Sequence, residues 1–193
     1  MSLKTIVLAL GMFISVPVLS QQVSFFAEDL QFTLSDSCFE VGGWYYFRNN
    51  TSKEIRQMLF YPFPNLEEYG EVTFVEIHTK NDTSNLVATK SDKGSMFRLQ
   101  IPANQEKAIW IRYRQKTRSN QAKYIITSTQ AWDEPFEEAH YQLQFQANLS
   151  TLNSSIPPDS ISESNGQVSY YWERKNFMPD RDFEFEFKTR QSH

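Results

Sequence analysis

Cysteine is nearly absent from this 193-residue chain, where Cys38 stands alone. No internal disulfide can form, so the fold has to be held by its core. No histidine or basic cluster flanks Cys38 to lower its pKa, and it reads as a small, partly buried apolar residue rather than a reactive thiol. Histidine is scarce as well. His78, His140 and His193 lie far apart, no H-E-x-x-H pair occurs, and the D-x-D-x-D-G pattern of a calcium loop is missing. No metal site and no cofactor are expected. Glycine-rich phosphate loops and the G-x-S-x-G elbow are lacking, so neither nucleotide binding nor activated-serine chemistry is indicated. The 19 basic residues form no run and are outnumbered by 23 acidic ones, for a formal charge of -4. That balance argues against a nucleic-acid partner.

One apolar run exists, in the opening MSLKTIVLALGMFISVPVLSQQ. Lys4 precedes an uncharged stretch from Thr5 to Leu19, followed by small or polar residues, which is the layout of a secretory signal. The stretch is shorter than the roughly 20 residues of a membrane helix, and no later segment approaches that length. Val18 and Ser20 suit the cleavage site, so residues 1–20 are expected to be a signal peptide and residues 21–193 one mature domain, periplasmic or secreted, with no transmembrane segment. About 170 residues suffice for one well-formed core.

The rest of the chain is dominated by alternation with period two, the mark of strands with one face buried. In HYQLQFQA, Tyr141, Leu143 and Phe145 alternate with glutamines; in DFEFEFK, Phe183, Phe185 and Phe187 alternate with Glu184, Glu186 and Lys188. MFRLQI places Phe97, Leu99 and Ile101 inward. After the short PANQE connection, AIWIRYR does the same with Ile109, Ile111 and Tyr113, and the two runs read as a hairpin. Weaker runs at FEVGGWYYFRN, EIRQMLFYPF, EVTFVEIHTK, NLVATK, AKYIITS and QVSYYWER bring the expectation to about ten strands, in an all-β antiparallel sandwich, Ig-like or saddle-like. Gly42 and Gly43 mark a bulge or a close approach of another backbone. The Ser-, Asn- and Pro-rich residues 150–167 are expected to form a long surface loop. N-x-S/T triplets begin at Asn49, Asn50, Asn81, Asn148 and Asn153 and read as turn formers.

The stretch AWDEPFEEAHY gathers four carboxylates and a histidine. Glycosidic hydrolysis needs two carboxyl groups facing across a cleft, which sequence neighbours seldom do. Pro135 with acidic neighbours suits the first turn of a short helix, with Glu137 and Glu138 on its wet face. A carboxylate-dependent glycan hydrolase, pairing Glu137 or Glu138 with Asp180 or Asp182, is the alternative. Trp110 is the better surface candidate. It shares the polar face of its strand with Arg112 and Arg114, and the hairpin reading sets Met96, Arg98 and Gln100 beside it. Trp110, Arg98, Arg112 and Arg114 are therefore the candidate ligand-binding residues, able to stack on a sugar or meet an acidic partner. The competing reading is that Trp110 packs under a neighbour or carries a stacked arginine.

The succession FRNNTSKEIRQMLFYPFP, LQIPANQEKAIWIRYR, YIITSTQAWDEPFEEAHYQLQFQ and ERKNFMPDRDFEFEF resembles the amino-terminal β-sandwich of gluzincin aminopeptidases. It is also similar to exported bacterial domains of unknown function that carry the sandwich alone. The resemblance covers most of the mature chain and implies a fold; the zinc-binding helix and catalytic domain of such peptidases have no counterpart here. The expectation is thus an exported, non-enzymatic module that binds a protein or glycan, the further alternative being a structural subunit of a cell-envelope assembly joined through strand edges.

Overall fold

The computed structural model describes residues 22–80, 86, 88–118, 120–147 and 149–189. The expected signal peptide lies outside them, as do Asn81, Asn148 and His193. The described residues form thirteen strands: β1 (Val23–Leu34), β2 (Cys38–Asn49), β3 (Ile55–Pro62), β4 (Val72–Thr79), β5 (Ala88–Ser91), β6 (Gly94–Ile101), β7 (Glu106–Lys116), β8 (Gln121–Tyr124), β9 (Phe136–Gln146), β10 (Leu149–Ser154), β11 (Ser160–Ser164), β12 (Gln167–Phe177) and β13 (Phe183–Thr189). Short helical turns at Leu66–Tyr69 and Thr127–Trp132 interrupt them. No helix among the described residues is long and apolar enough to cross a membrane.

One layer is a seven-stranded sheet in the order β11-β12-β9-β1-β2-β7-β4. The other is divided into two three-stranded sheets, β10-β13-β8 and β3-β6-β5. Pairing is antiparallel except where β1 runs parallel to β9, with Leu30 opposite Tyr141. The expected all-β sandwich is what forms, and the inward phases of β6, β7, β9 and β13 are those read from alternation. Phe32 on β1 shows how the layers lock together. Its ring lies 5.2 to 6.1 Å from those of Phe39, Tyr124, Tyr141, Phe183 and Phe185, drawn from both layers. Ring pairs of this kind each contribute about 0.5–1.5 kcal/mol beyond the area they bury.

Three expectations require correction. β6 and β7 are not a hairpin: β6 pairs with β3 and β5, whereas β7 pairs with β2 and β4 in the opposite layer. The short link from Pro102 to Gln105 crosses the sandwich, and Asn49 secures the crossing. Its buried amide nitrogen contacts the carbonyl oxygens of Lys53, Ile101 and Pro102 at 2.8, 3.1 and 2.9 Å. Its carbonyl oxygen accepts from Thr51 N and Oγ1. Residues 150–167 are not a loop but carry most of β10 and all of β11. Pairing of the backbone outweighs a polar composition when one face stays wet, and all five residues of β11 are exposed. Finally, Glu137 and Glu138 belong to β9, not to a helical turn. The turn comes earlier, at Thr127–Trp132, and is closed by Asp133 at φ 54°.

The two adjacent glycines behave differently. A Cβ on Gly43 would sit 2.2 Å from the carbonyl oxygen of Asp29 and 2.8 Å from Leu30 Cα, so β1 comes as close as a side chain would stand. A Cβ on Gly42, pointing outward, would meet nothing nearer than Arg112 Cγ at 3.5 Å. The register shift in this strand pair lies on β1, between Phe25 and Ala27.

Candidate functional site

The outer face of the seven-stranded sheet holds three of the four residues singled out from sequence. Trp110 is half-buried and packed edge-on to Trp44, with ring centroids 5.2 Å apart, and its ring stacks near His78 at 6.0 Å. Arg112 and Arg114 both bind Glu40, through Nη2–Oε1 at 2.7 Å and Nη2–Oε2 at 2.8 Å. Arg112 also lies over Phe74. Arg98 is not with them. It stands on the outer face of the opposite layer, across from Met58, because β6 and β7 are in different sheets. A groove of about 450 Å³ runs beside the tryptophans, with Asp29, Gly42, His140 and Tyr171 among its walls.

The carboxylates proposed as a hydrolytic pair are each held by a basic or hydroxyl partner. Glu137 accepts two hydrogen bonds from Arg48 at 2.6 and 3.3 Å, which hold its carboxyl below the usual range. Asp182 accepts from the Thr127 amide and hydroxyl and pairs with Lys123 at 3.1 Å; these contacts keep it ionised although burial opposes them. Asp180 is lowered by its hydrogen bond to Arg181. Cys38 is free, and partial burial raises its thiol pKa. No group of three or more His, Cys, Asp or Glu side chains with metal-binding spacing occurs among the described residues.

A second concavity, not marked by any motif, lies where the outer layer is divided. β3 and β8 are edge strands of the two small sheets, which remain separate among the described residues. A cleft of about 510 Å³ opens there, walled by Leu59, Phe97 and Trp132 and rimmed by Met58 and Phe60, which are 50% and 53% exposed. Its floor is the inner face of the seven-stranded sheet, where β1 places Glu28. That carboxyl is 3% exposed, takes a hydrogen bond from Tyr124 Oη at 2.9 Å on Oε1, and takes another from Tyr141 Oη at 2.8 Å on Oε2. Tyr45 and Tyr61 hydroxyls meet at 2.7 Å, and Tyr45 Oη lies 3.4 Å from Tyr124 Oη.

Counting hydrogens shows how this ring of hydroxyls works. Each tyrosine has one to donate. With Tyr124 and Tyr141 committed to Glu28, Tyr61 can donate to Tyr45 and Tyr45 to Tyr124, and every hydroxyl is satisfied around an ionised carboxylate. A protonated Glu28 would bring a fifth hydrogen to four hydroxyl and carboxyl contacts, so one hydrogen would go unpaired within the ring. Burial acts the other way and is the larger influence, pushing the Glu28 pKa up to about 7 against the two hydroxyl hydrogen bonds. The four tyrosines are themselves raised by burial and stay protonated as donors.

Glu28 escaped motif reading because it belongs to none. Its signal is register: Leu30, Phe32 and Leu34 point inward on β1, and the same alternation carried back two residues puts a carboxylate inside. An apolar concavity with a few convergent polar groups and a displaced pKa is the usual form of a ligand site.

No protein-family model matches the chain, and no curated protein does. Solved structures match its fold. The crystal structure of a candidate nutrient-binding protein from Legionella pneumophila aligns over 90% of this chain and 69% of its own, with a TM-score of 0.69 at 15% identity. An M1 zinc metallopeptidase from Deinococcus radiodurans, bound to a Tyr-Ser-Ala substrate, aligns over 86% of this chain and 42% of its own, with a TM-score of 0.51 at 9% identity. A two-domain M1 zinc metallopeptidase bound to L-arginine gives 0.51 at 11% identity, over 89% and 44%. This chain thus spans less than half the length of those peptidases. The resemblance to gluzincin aminopeptidases read from the sequence is met by these neighbours, and at such identities it is a likeness of fold.

Proposed function

We propose that this chain is a non-catalytic binding module, exported to the periplasm or beyond, that holds a small amphiphilic ligand in the cleft between its two three-stranded sheets. The observation that carries this reading is the Glu28 carboxyl set, with its tyrosine hydroxyls, at the floor of a concavity whose walls are mostly apolar. Burying a carboxyl is costly, and its retention beneath a void with apolar walls favours recognition of a polar head. The likeness to a protein described as nutrient binding weighs in the same direction. A neutral apolar dye such as N-phenyl-1-naphthylamine is expected to bind saturably at one site. Ala131→Trp, at the exposed mouth of the cleft, is expected to weaken that binding at least tenfold with an unchanged urea melt. Equal binding by the plugged variant would refute the cleft as the site.

A second reading places a glycan or protein partner on the outer face, favoured by the groove beside Trp44 and Trp110. Trp110→Ala together with Arg112→Ala is then expected to lower glycan-array or partner binding at least tenfold. Stability should fall by about 2 kcal/mol, since the lost contacts are two partly solvated ring pairs and a screened ion pair. Unchanged binding would remove this face from consideration.

A further inference from the structure

Taking the cleft as the binding site, its chemistry narrows the ligand. Glu28 is the one side chain in its lining that can bear charge near neutral pH, and no lysine, arginine or histidine lines it among the described residues. A carboxylate or phosphate ligand would meet a carboxyl with no cation to balance the pair. An ionised carboxylate offers about four lone-pair positions, and the described residues fill two of them, one on each oxygen. The hydroxyl chain from Tyr61 to Tyr124 has no hydrogen left to supply a third. We infer that the ligand of this cleft is a small aryl or alkyl amine, its ammonium donating to the unfilled positions of Glu28 and its apolar body lying against Leu59, Phe97 and Trp132. A tetrahedral ammonium has three hydrogens and can serve both oxygens, and its charge is balanced on arrival. Met58 and Phe60 continue the apolar wall outward at the rim, where a longer body would emerge.

Proton linkage follows from this arrangement. The groups facing Glu28 are Tyr141 on β9, Tyr124 on β8, and behind them Tyr45 on β2 and Tyr61 on β3. All four stay neutral, and the charge of Arg174 is felt at Tyr141. Glu28 is therefore the group at the site whose proton count changes around neutrality. A bound ammonium requires the ionised carboxyl, so amine affinity is expected to fall about tenfold from pH 8 to pH 6.

Calorimetric titration of the whole protein with 2-phenylethylamine, 2-phenylethanol and phenylacetate, and with hexylamine against hexanol, tests the assignment. Each amine is expected to bind at least tenfold more tightly than its alcohol at pH 8, with phenylacetate weakest. The advantage should shrink at pH 6 while alcohol binding holds constant. Glu28→Gln should bring amine affinity down to that of the alcohol; if that variant does not fold, the pH comparison on the unaltered protein decides alone. Alcohols binding as tightly as amines, with Ala131→Trp still weakening both, would overturn the head-group assignment and leave the cleft standing. Loss of all binding, or binding indifferent to Ala131→Trp, would overturn both.

Discussion

Gly43→Ala is expected to remove about 3 kcal/mol or more of folding stability, whereas Gly42→Ala one residue earlier should change stability by less than about 1 kcal/mol. The difference lies in which way each Cβ would point. At Gly43 the added methyl would sit 2.2 Å from the Asp29 carbonyl oxygen and against Leu30, both on the neighbouring central strand. Those atoms are backbone in the middle of a sheet, and moving them disturbs the pairing of β1 with both β2 and β9. At Gly42 the methyl would enter ordinary contact with Arg112 and Trp110 on the solvent side. Urea unfolding of the two variants side by side checks this, and similar midpoints would refute the close approach of β1 and β2.

The second large effect is a dependence of stability on pH set by Glu28. Its pKa in the folded chain is raised from 4.5 to about 7. Between those values the folded state binds the proton more tightly than the unfolded state. Stability from this group is therefore fully present below about pH 4.5 and is lost as pH rises through about 7, by about 3 kcal/mol in all. Exposed carboxylates with lowered pKa values, such as Glu137 and Asp180, act in the opposite sense at more acid pH. The clean quantity is thus the difference between the original chain and Glu28→Gln, followed by urea unfolding from pH 5 to pH 8. The difference is expected to move against the original chain as pH rises. A flat difference would mean that Glu28 ionises as freely as in the unfolded chain.

Ten of the thirteen strands are legible as alternation, and those that escape it do so for physical reasons. β1 hides because the bulge at Phe25 and Ala27 shifts its phase and because Glu28 and Asp29 look like a wet turn. β10 and β11 hide behind serine and asparagine, which a paired strand tolerates where its face is open to water. The hairpin assigned to β6 and β7 fails because a four-residue link can turn back within one sheet or cross to the other. Here the contacts of Asn49 with Ile101 and Pro102 hold the crossing. That single difference removes Arg98 from the company of Trp110. The floor of the cleft was less accessible still. Its hydroxyls come from β2, β3, β8 and β9, and their meeting at one carboxyl is a fact of tertiary register that no local pattern carries.

The parallel seam between β1 and β9 sets an order of assembly. During synthesis β1 can close with β2 at once, but its other side stays bare until the segment bearing Leu143 and Phe145 emerges from the ribosome. Closing so distant a pair is slow, typically on the scale of milliseconds to seconds for domains dominated by remote pairings. Tyr141 arrives on that same late strand, so the hydroxyl cradle around Glu28 is among the last parts of the nascent chain to take shape.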